Sequence, residues 1–171
     1  MDPKMREAYS RCVMEASRGL LPDLVNGKYD YLIIDFPSIA YGLRRPRSFL
    51  TNIKLAIDYG YLKPRVVFVL DYSKPIHREV AGSRVWWFKE LGLKYVLADN
   101  EPAEVRAAKL CLSLSRCVVL SRDYDVLTVM DFMLQPIKVS GRAWVIRLVS
   151  VDRACLLNNA KPKQRPHFDI S

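Results

Sequence analysis

Short apolar runs separated by longer amphipathic stretches set the pattern of this chain. Tyr31-Leu32-Ile33-Ile34 is an apolar run that ends in Asp35, and Val66 to Leu70 is a second that ends in Asp71. Tyr95-Val96-Leu97 is a third, and Cys117-Val118-Val119-Leu120 a fourth. Runs this short, with no polar alternation, predict strands buried on both faces. Helical spacing fills the intervals. Met5, Tyr9, Cys12, Val13 and Ala16 predict a helix over 4–18, with Gly19 as its stop. Further helices are expected over 37–43, over 46–59 with Pro46 in the first turn, over 80–91 up to Gly92, and over 102–115. Ile137 to Val139, Ser140-Gly141 and Ala143 to Val149 predict a hairpin. Strands alternating with helices imply an α/β fold with a mostly parallel sheet covered on both faces. There is no internal repeat, so one domain is expected over 1–160, followed by a basic, proline-containing tail over 161–171 that reads as extended.

Composition narrows this picture. With 171 residues, half of them hydrophobic, the chain can bury a real core. No stretch is long and apolar enough to span a bilayer. The segment from Met1 to Arg18 carries charges of both signs and lacks the apolar run of a signal peptide. The expectation is a soluble intracellular protein, cytoplasmic or nucleoid/nuclear, with no membrane partner. A net charge of +9 favours a polyanionic partner, against the plainer alternative of a charged solvated surface. Cys12, Cys111, Cys117 and Cys155 show no CxxC zinc spacing. The first three sit in apolar stretches and read as reduced, core-forming cysteines rather than a disulfide framework. Trp86-Trp87-Phe88 includes core residues, and the isolated His77 and His167 carry no catalytic expectation.

The chemistry lies in where the acids fall. Asp35 and Asp71 end two strands; Asp99, Glu101 and Glu104 follow the third; Asp123 and Asp125 follow the fourth. Carboxyl ends of parallel strands share one edge of the sheet, where ligands bind. A single Asp after a strand is usually a helix cap or a turn residue. Acids after four strand ends are a stronger signal. Carboxylates gathered in one place repel one another, and bound cations remove that cost. Oxygen ligands without a histidine or cysteine cluster suit Mg²⁺ or Mn²⁺, two ions of which can activate a water and stabilise the leaving oxygen of a phosphodiester. No side chain then needs to act as a covalent nucleophile.

These segments resemble the flap endonuclease (Rad2/XPG-type 5′-nuclease) branch of the PIN-like nucleases. The resemblance rests on YLIIDFPSIAYGL (31–43), VVFVLD (66–71), ELGLKYVLADNEPAEVRAAKL (90–110), VVLSRDYDVLTV (118–129) and QPIKVSGRAWVIRLV (135–149). SRDYDVL is the most specific piece. The resemblance implies a three-layer fold and a divalent-metal-dependent nuclease. It makes Asp35 and Asp71 the first metal-site aspartates, Glu104 the second glutamate of the EAE-type motif, and Asp123 and Asp125 its DxD pair. Tyr41 stands where the family places an aromatic that stacks on a base; a half-buried helix residue is the alternative.

The departures matter equally. Pro102 stands where the first glutamate of the EAE-type motif falls, leaving Glu101 or Asp99 to fill that place. The interval between Asp71 and Glu104 is too short for the helical arch that threads a 5′ single strand. The arch cations have no clear counterpart, although Lys74, Arg78 and Arg84 are nearby as phosphate contacts or as a solvated helix face. The family's Met-Gly start and its helix-two-turn-helix duplex clamp are also missing. Arg44, Arg45 and Arg47 form a basic patch expected near the site rim, and Arg122 lies inside the acidic loop, either to steer a phosphate or to neutralise its neighbours. The tail lysines could add nonspecific affinity for nucleic acid. The leading expectation is a nuclease acting on single-stranded or branched, flap-like DNA. A PIN-type ribonuclease in RNA processing is the second, and a nucleic-acid-binding or scaffold protein with weakened cleavage the third. The reading leaves room for a homo-oligomer or a protein partner that supplies substrate recognition.

Overall fold

The structure is a computed structural model that describes residues 3–19, 27–140 and 143–160. The tail over 161–171 and the hairpin tip at 141–142 lie outside the described residues. In chain order the elements are α1 (Pro3–Cys12), β1 (Val13–Gly19), β2 (Tyr31–Asp35), α2 (Phe36–Ala40), α3 (Pro46–Asp58), β3 (Arg65–Asp71), α4 (Pro75–Leu91), β4 (Lys94–Ala98), α5 (Ala103–Leu112), β5 (Cys117–Leu120), a 3₁₀ turn (Tyr124–Thr128), β6 (Phe132–Ser140), β7 (Ala143–Val151) and α6 (Arg153–Ala160).

The seven strands form one sheet in the order β1-β7-β6-β5-β2-β3-β4. β2 lies between β3 and β5, and all four pairs from β4 to β6 are parallel. β6, β7 and β1 close one side as an antiparallel ribbon. Alternation along the buried strands builds two cores. Leu32, Ile34, Phe68, Leu70, Val118 and Leu120 face Phe49, Leu50 and Ile53 of α3 and Phe88 of α4. Ile33, Val69 and Val119 face Ala103, Ala107, Ala108 and Cys111 of α5 together with Val126 and Leu127. The small residues of α5 let that helix lie close to the sheet. The outcome is the three-layer α/β arrangement expected from the strand pattern.

Helix α4 starts at Pro75, ahead of the expected 80, because proline suits a helix's first turn. It ends at Gly92 in the left-handed conformation. Beneath the acid-bearing end of β2, Phe36, Phe68 and Phe88 meet with ring centroids 5.1–6.0 Å apart. At the opposite end of the sheet Arg116 holds φ 50°, and its guanidinium donates to the carbonyls of Gly27 and Lys28.

Two expectations are corrected. The helix expected over 4–18 ends at Cys12, and Val13–Gly19 becomes an edge strand paired with β7 from Val13↔Val151 to Gly19↔Ile146. Pairing with a distant strand overrides local helical spacing. The cysteines are also not reduced: Cys12 is bonded to Cys155, and Cys111 to Cys117. Cys12, Cys111 and Cys117 are buried as expected. Burial does not prevent pairing when the Cα atoms stand 5.6 and 5.4 Å apart. No helix among the described residues is long and apolar enough to cross a membrane.

Candidate active site

The carboxyl ends of β2, β3 and β5 open into a cleft of about 470 Å³. Asp35, Asp71, Glu104, Asp123 and Asp125 line it together with Tyr41, Arg122, Arg6, Pro37, Ser38 and Tyr124. Asp35 and Asp71 arrive as the last residues of their strands. Glu104 sits in the first turn of α5; Asp123 caps the 3₁₀ turn, and Asp125 lies in its first turn.

Hydrogen bonds fix this arrangement. Asp35 is 1% exposed, and its Oδ2 accepts the Ser121 hydroxyl at 2.6 Å. The same Ser121 oxygen accepts the backbone amide of Asp123 at 3.0 Å. Ser38 donates to the Asp35 carbonyl and accepts the Arg122 amide, each at 3.1 Å. Asp123 Oδ1 accepts the Asp125 amide at 2.9 Å, which starts the 3₁₀ turn. Asp71 Oδ1 accepts the Ala103 amide at 2.7 Å. That bond caps α5, because Pro102 at the N-cap position makes no side-chain capping bond. A second chain of contacts backs the acidic loop: Gln135 donates to the Arg122 carbonyl at 3.3 Å, and Arg147 donates to Gln135 and to the Tyr124 hydroxyl.

The acids disturb one another. Burial pushes the Asp35 carboxyl up to about 6, the Ser121 and Ser38 hydroxyls pull it back, and Asp71 and Asp123 add to the rise. Burial raises Glu104 to about 7; a backbone hydrogen bond opposes this, and the charges of Asp123, Asp35 and Asp71 reinforce it. Asp125 is also raised, by burial and then by Asp123, with Arg6 acting in the other direction. A metal-free protein therefore carries these carboxylates at a cost.

The residues fit a hard divalent cation. Asp35 Oδ1 is buried with no hydrogen-bond partner, so the most buried acid of the site keeps one acceptor unsatisfied. Glu104, Asp123 and Asp125 each place one oxygen within 4.8 Å of the others. An all-oxygen donor set suits Mg²⁺ or Mn²⁺ rather than zinc.

Apart from Tyr41 and Arg122, the other expected residues lie outside the cleft lining. Glu101 is not among the cleft-lining residues and pairs with Lys109 at 2.6 Å. Asp99 faces Arg78 at 4.0 Å. Arg44 and Arg45 are exposed on the segment leading into α3. Arg47 pairs with Glu90 at 2.6 Å and stacks 4.6 Å over Trp86. Lys74 is exposed just before α4, and Arg78 donates to the Tyr72 carbonyl. Tyr41 is 95% exposed, so it is not a half-buried helix residue. Sequence reasoning did not single out Ser38, Ser121 or Arg6. The two serines lie inside the quoted FPSIA and SRDYD segments, where nothing in the pattern separates them from turn residues. Arg6 gave no signal, since only the packing of α1 brings it to the cleft.

No protein-family model matches the chain, and no curated protein matches it in sequence. Solved structures do match. The chain superposes on human GEN1 in complex with Holliday junction DNA with a TM-score of 0.55 at 14% identity, over 91% of this chain and 48% of that one. It superposes on the catalytic core of Rad2 in complex with DNA substrate with a TM-score of 0.50 at 17% identity, over 91% and 55%. The chain thus spans about half the length of the structures it matches. At these identities the likeness establishes the fold alone: the chain shares the α/β fold of GEN1 and of the Rad2 catalytic core.

Proposed function

We propose that this chain, sharing the fold of XPG-type nucleases, is a divalent-metal-dependent phosphodiesterase that cuts DNA in single-stranded or branched, flap-like form. One observation carries the reading: five carboxylates from four places in the chain line one open cleft, and the most buried of them keeps an unpartnered oxygen. Asp35, Asp71, Glu104, Asp123 and Asp125 would hold Mg²⁺ or Mn²⁺. Such ions supply a more acidic water and a sink for the charge that develops on the leaving oxygen. Ser121 orients Asp35, and through the Asp123 amide it ties the first acid to the DxD pair. The exposed ring of Tyr41 offers a face on which a base can stack. The exposed Arg44, Arg45 and Lys74 can meet substrate phosphates beyond the cleft. The DNA bound in the two superposed structures favours DNA over RNA.

A nucleic-acid-binding protein with weakened cleavage is a second reading. One observation favours it: Glu101 is engaged with Lys109, and no acid replaces the one missing at Pro102 in the cleft lining. Labelled single-stranded, flap and duplex DNA, with matched RNA, would be incubated with Mg²⁺ or Mn²⁺ and wild type or Asp123→Asn/Asp125→Asn. The expected result is cutting of DNA by wild type and a loss of about 10²-fold or more in the variant. Equal cutting by both would reject the metal-site reading. Tight binding without cutting would favour the second reading, and RNA-only cutting a ribonuclease.

A further inference from the structure

We propose that Arg122 is a substrate-anion contact built into the acidic cleft, taking a non-bridging phosphate oxygen. This rests on the reading of the cleft as a phosphodiester site. A guanidinium surrounded by carboxylates would be expected to fold onto one of them. Arg122 does not. It shares the cleft with five acids, yet among the described residues no ion pair joins it to any of them. Its Nε is buried with no partner, a desolvated donor with nothing to bond.

The side chain lies instead against Gly42. A Cβ at that position would stand 3.4 Å from Nη2 and 3.5 Å from Cζ and Nε. A methyl group there would sit in ordinary van der Waals contact with the guanidinium, so a small residue at 42 leaves the group its place. Glycine therefore leaves a shelf on which the planar group rests beside the exposed Tyr41. The backbone of Arg122 is held independently, by Ser38 at its amide and Gln135 at its carbonyl. Loop geometry does not depend on the guanidinium, which leaves the group free for a ligand. The partner that suits a half-buried guanidinium bonded to none of the surrounding carboxylates is an anion. Its planar fork matches phosphate oxygens, and an ammonium would match them less well.

The alternative is that Arg122 merely offsets the acids' charge, and the two roles separate experimentally. Binding of fluorescein-labelled dT20 would be followed by anisotropy in Ca²⁺ between 50 and 300 mM salt for wild type, Arg122→Ala and Arg122→Lys (~ranges set by the salt dependence of such complexes). Mn²⁺ affinity would be titrated on the same proteins, with thermal melting to confirm that each is folded. Losing one phosphate contact on a single strand lowers the slope of log K against log salt by about 0.7. The expected result is that drop in Arg122→Ala, its partial recovery in Arg122→Lys, and little change in Mn²⁺ affinity. An unchanged slope in folded Arg122→Ala overturns the inference, whether or not Mn²⁺ then binds more tightly. Binding by wild type without cutting removes the cleavage reading and leaves this one to be decided by the slope. No binding by wild type overturns both.

Discussion

At the scale of single residues, the site is a set of carboxylates held in a form they resist. Asp35 sits at about 6 and Glu104 at about 7, both above their ordinary values because burial and neighbouring acids disfavour the charge. A carboxyl with a raised folded value binds its proton more tightly folded than unfolded. It therefore weakens the fold as pH climbs from about 4 through 6 and 7. In chelator, Asp35→Asn should match wild type in stability near pH 4 and exceed it by up to roughly 3 kcal/mol at pH 8. Urea unfolding across that range checks this, and a difference independent of pH would sink it. Saturating Mn²⁺ should reverse the order at pH 8, because only the carboxylate gains from the cation. The acids were legible in the sequence because charge at a strand end is conspicuous. Ser121 was not, although it is fully buried and bonds both Asp35 and the Asp123 amide. A hydroxyl's role depends on which atoms surround it, and these partners come from β2, α2 and the loop after β5.

At the scale of elements, α5 links packing to chemistry. Its first turn carries Glu104, its first amide is capped by Asp71, and its buried face is almost entirely alanine. Ala107 is fully buried in the layer formed with Ile33, Val69 and Val119. Ala107→Leu should push the helix off the sheet at a cost of about 1–3 kcal/mol and shift Glu104 away from Asp123. The checks are the urea midpoint and Mn²⁺ affinity; a stable variant with unaltered Mn²⁺ binding would show that α5 does not set the site. Strands β2, β3 and β5 were readable because burial on both faces leaves an unbroken apolar run. Strand β1 was not. VMEASRG fits a helical period as well as it fits an edge strand, and what makes it a strand is β7, far along the chain. Helix α6 gave no usable signal either, since it is short and Leu156 is the buried hydrophobic residue among its described side chains.

At the scale of the whole molecule, the ribbon of β6, β7 and β1 is tied at its edge by covalent and hydrogen bonds. Cys12 at the end of α1 is bonded to Cys155 in α6 across 143 positions, and the Asp152 amide donates to the Cys12 carbonyl at 2.9 Å. Cross-linking so long a loop restricts the unfolded chain by up to about 5 kcal/mol in the chain-entropy view. Cys155→Ser should therefore lower stability by about 2–5 kcal/mol and remove most of wild type's sensitivity to dithiothreitol, since the short loop closed by Cys111–Cys117 contributes less. A Cys155→Ser midpoint equal to that of oxidised wild type would refute the contribution. These pairings were hidden for a physical reason: a buried cysteine satisfies an apolar pattern equally well alone or bonded.

The shelf that Gly42 provides for Arg122 reaches beyond this one chain. Residues that far apart in sequence mutate independently, yet neither is free to drift alone. A lineage that enlarges position 42 loses the resting place of the guanidinium, and one that discards the arginine releases position 42 to any side chain that suits a turn. Among descendants of a common ancestor, a bulky residue at 42 should appear where the charge at 122 has been lost, leaving an inherited record of whether the cleft still receives an anion.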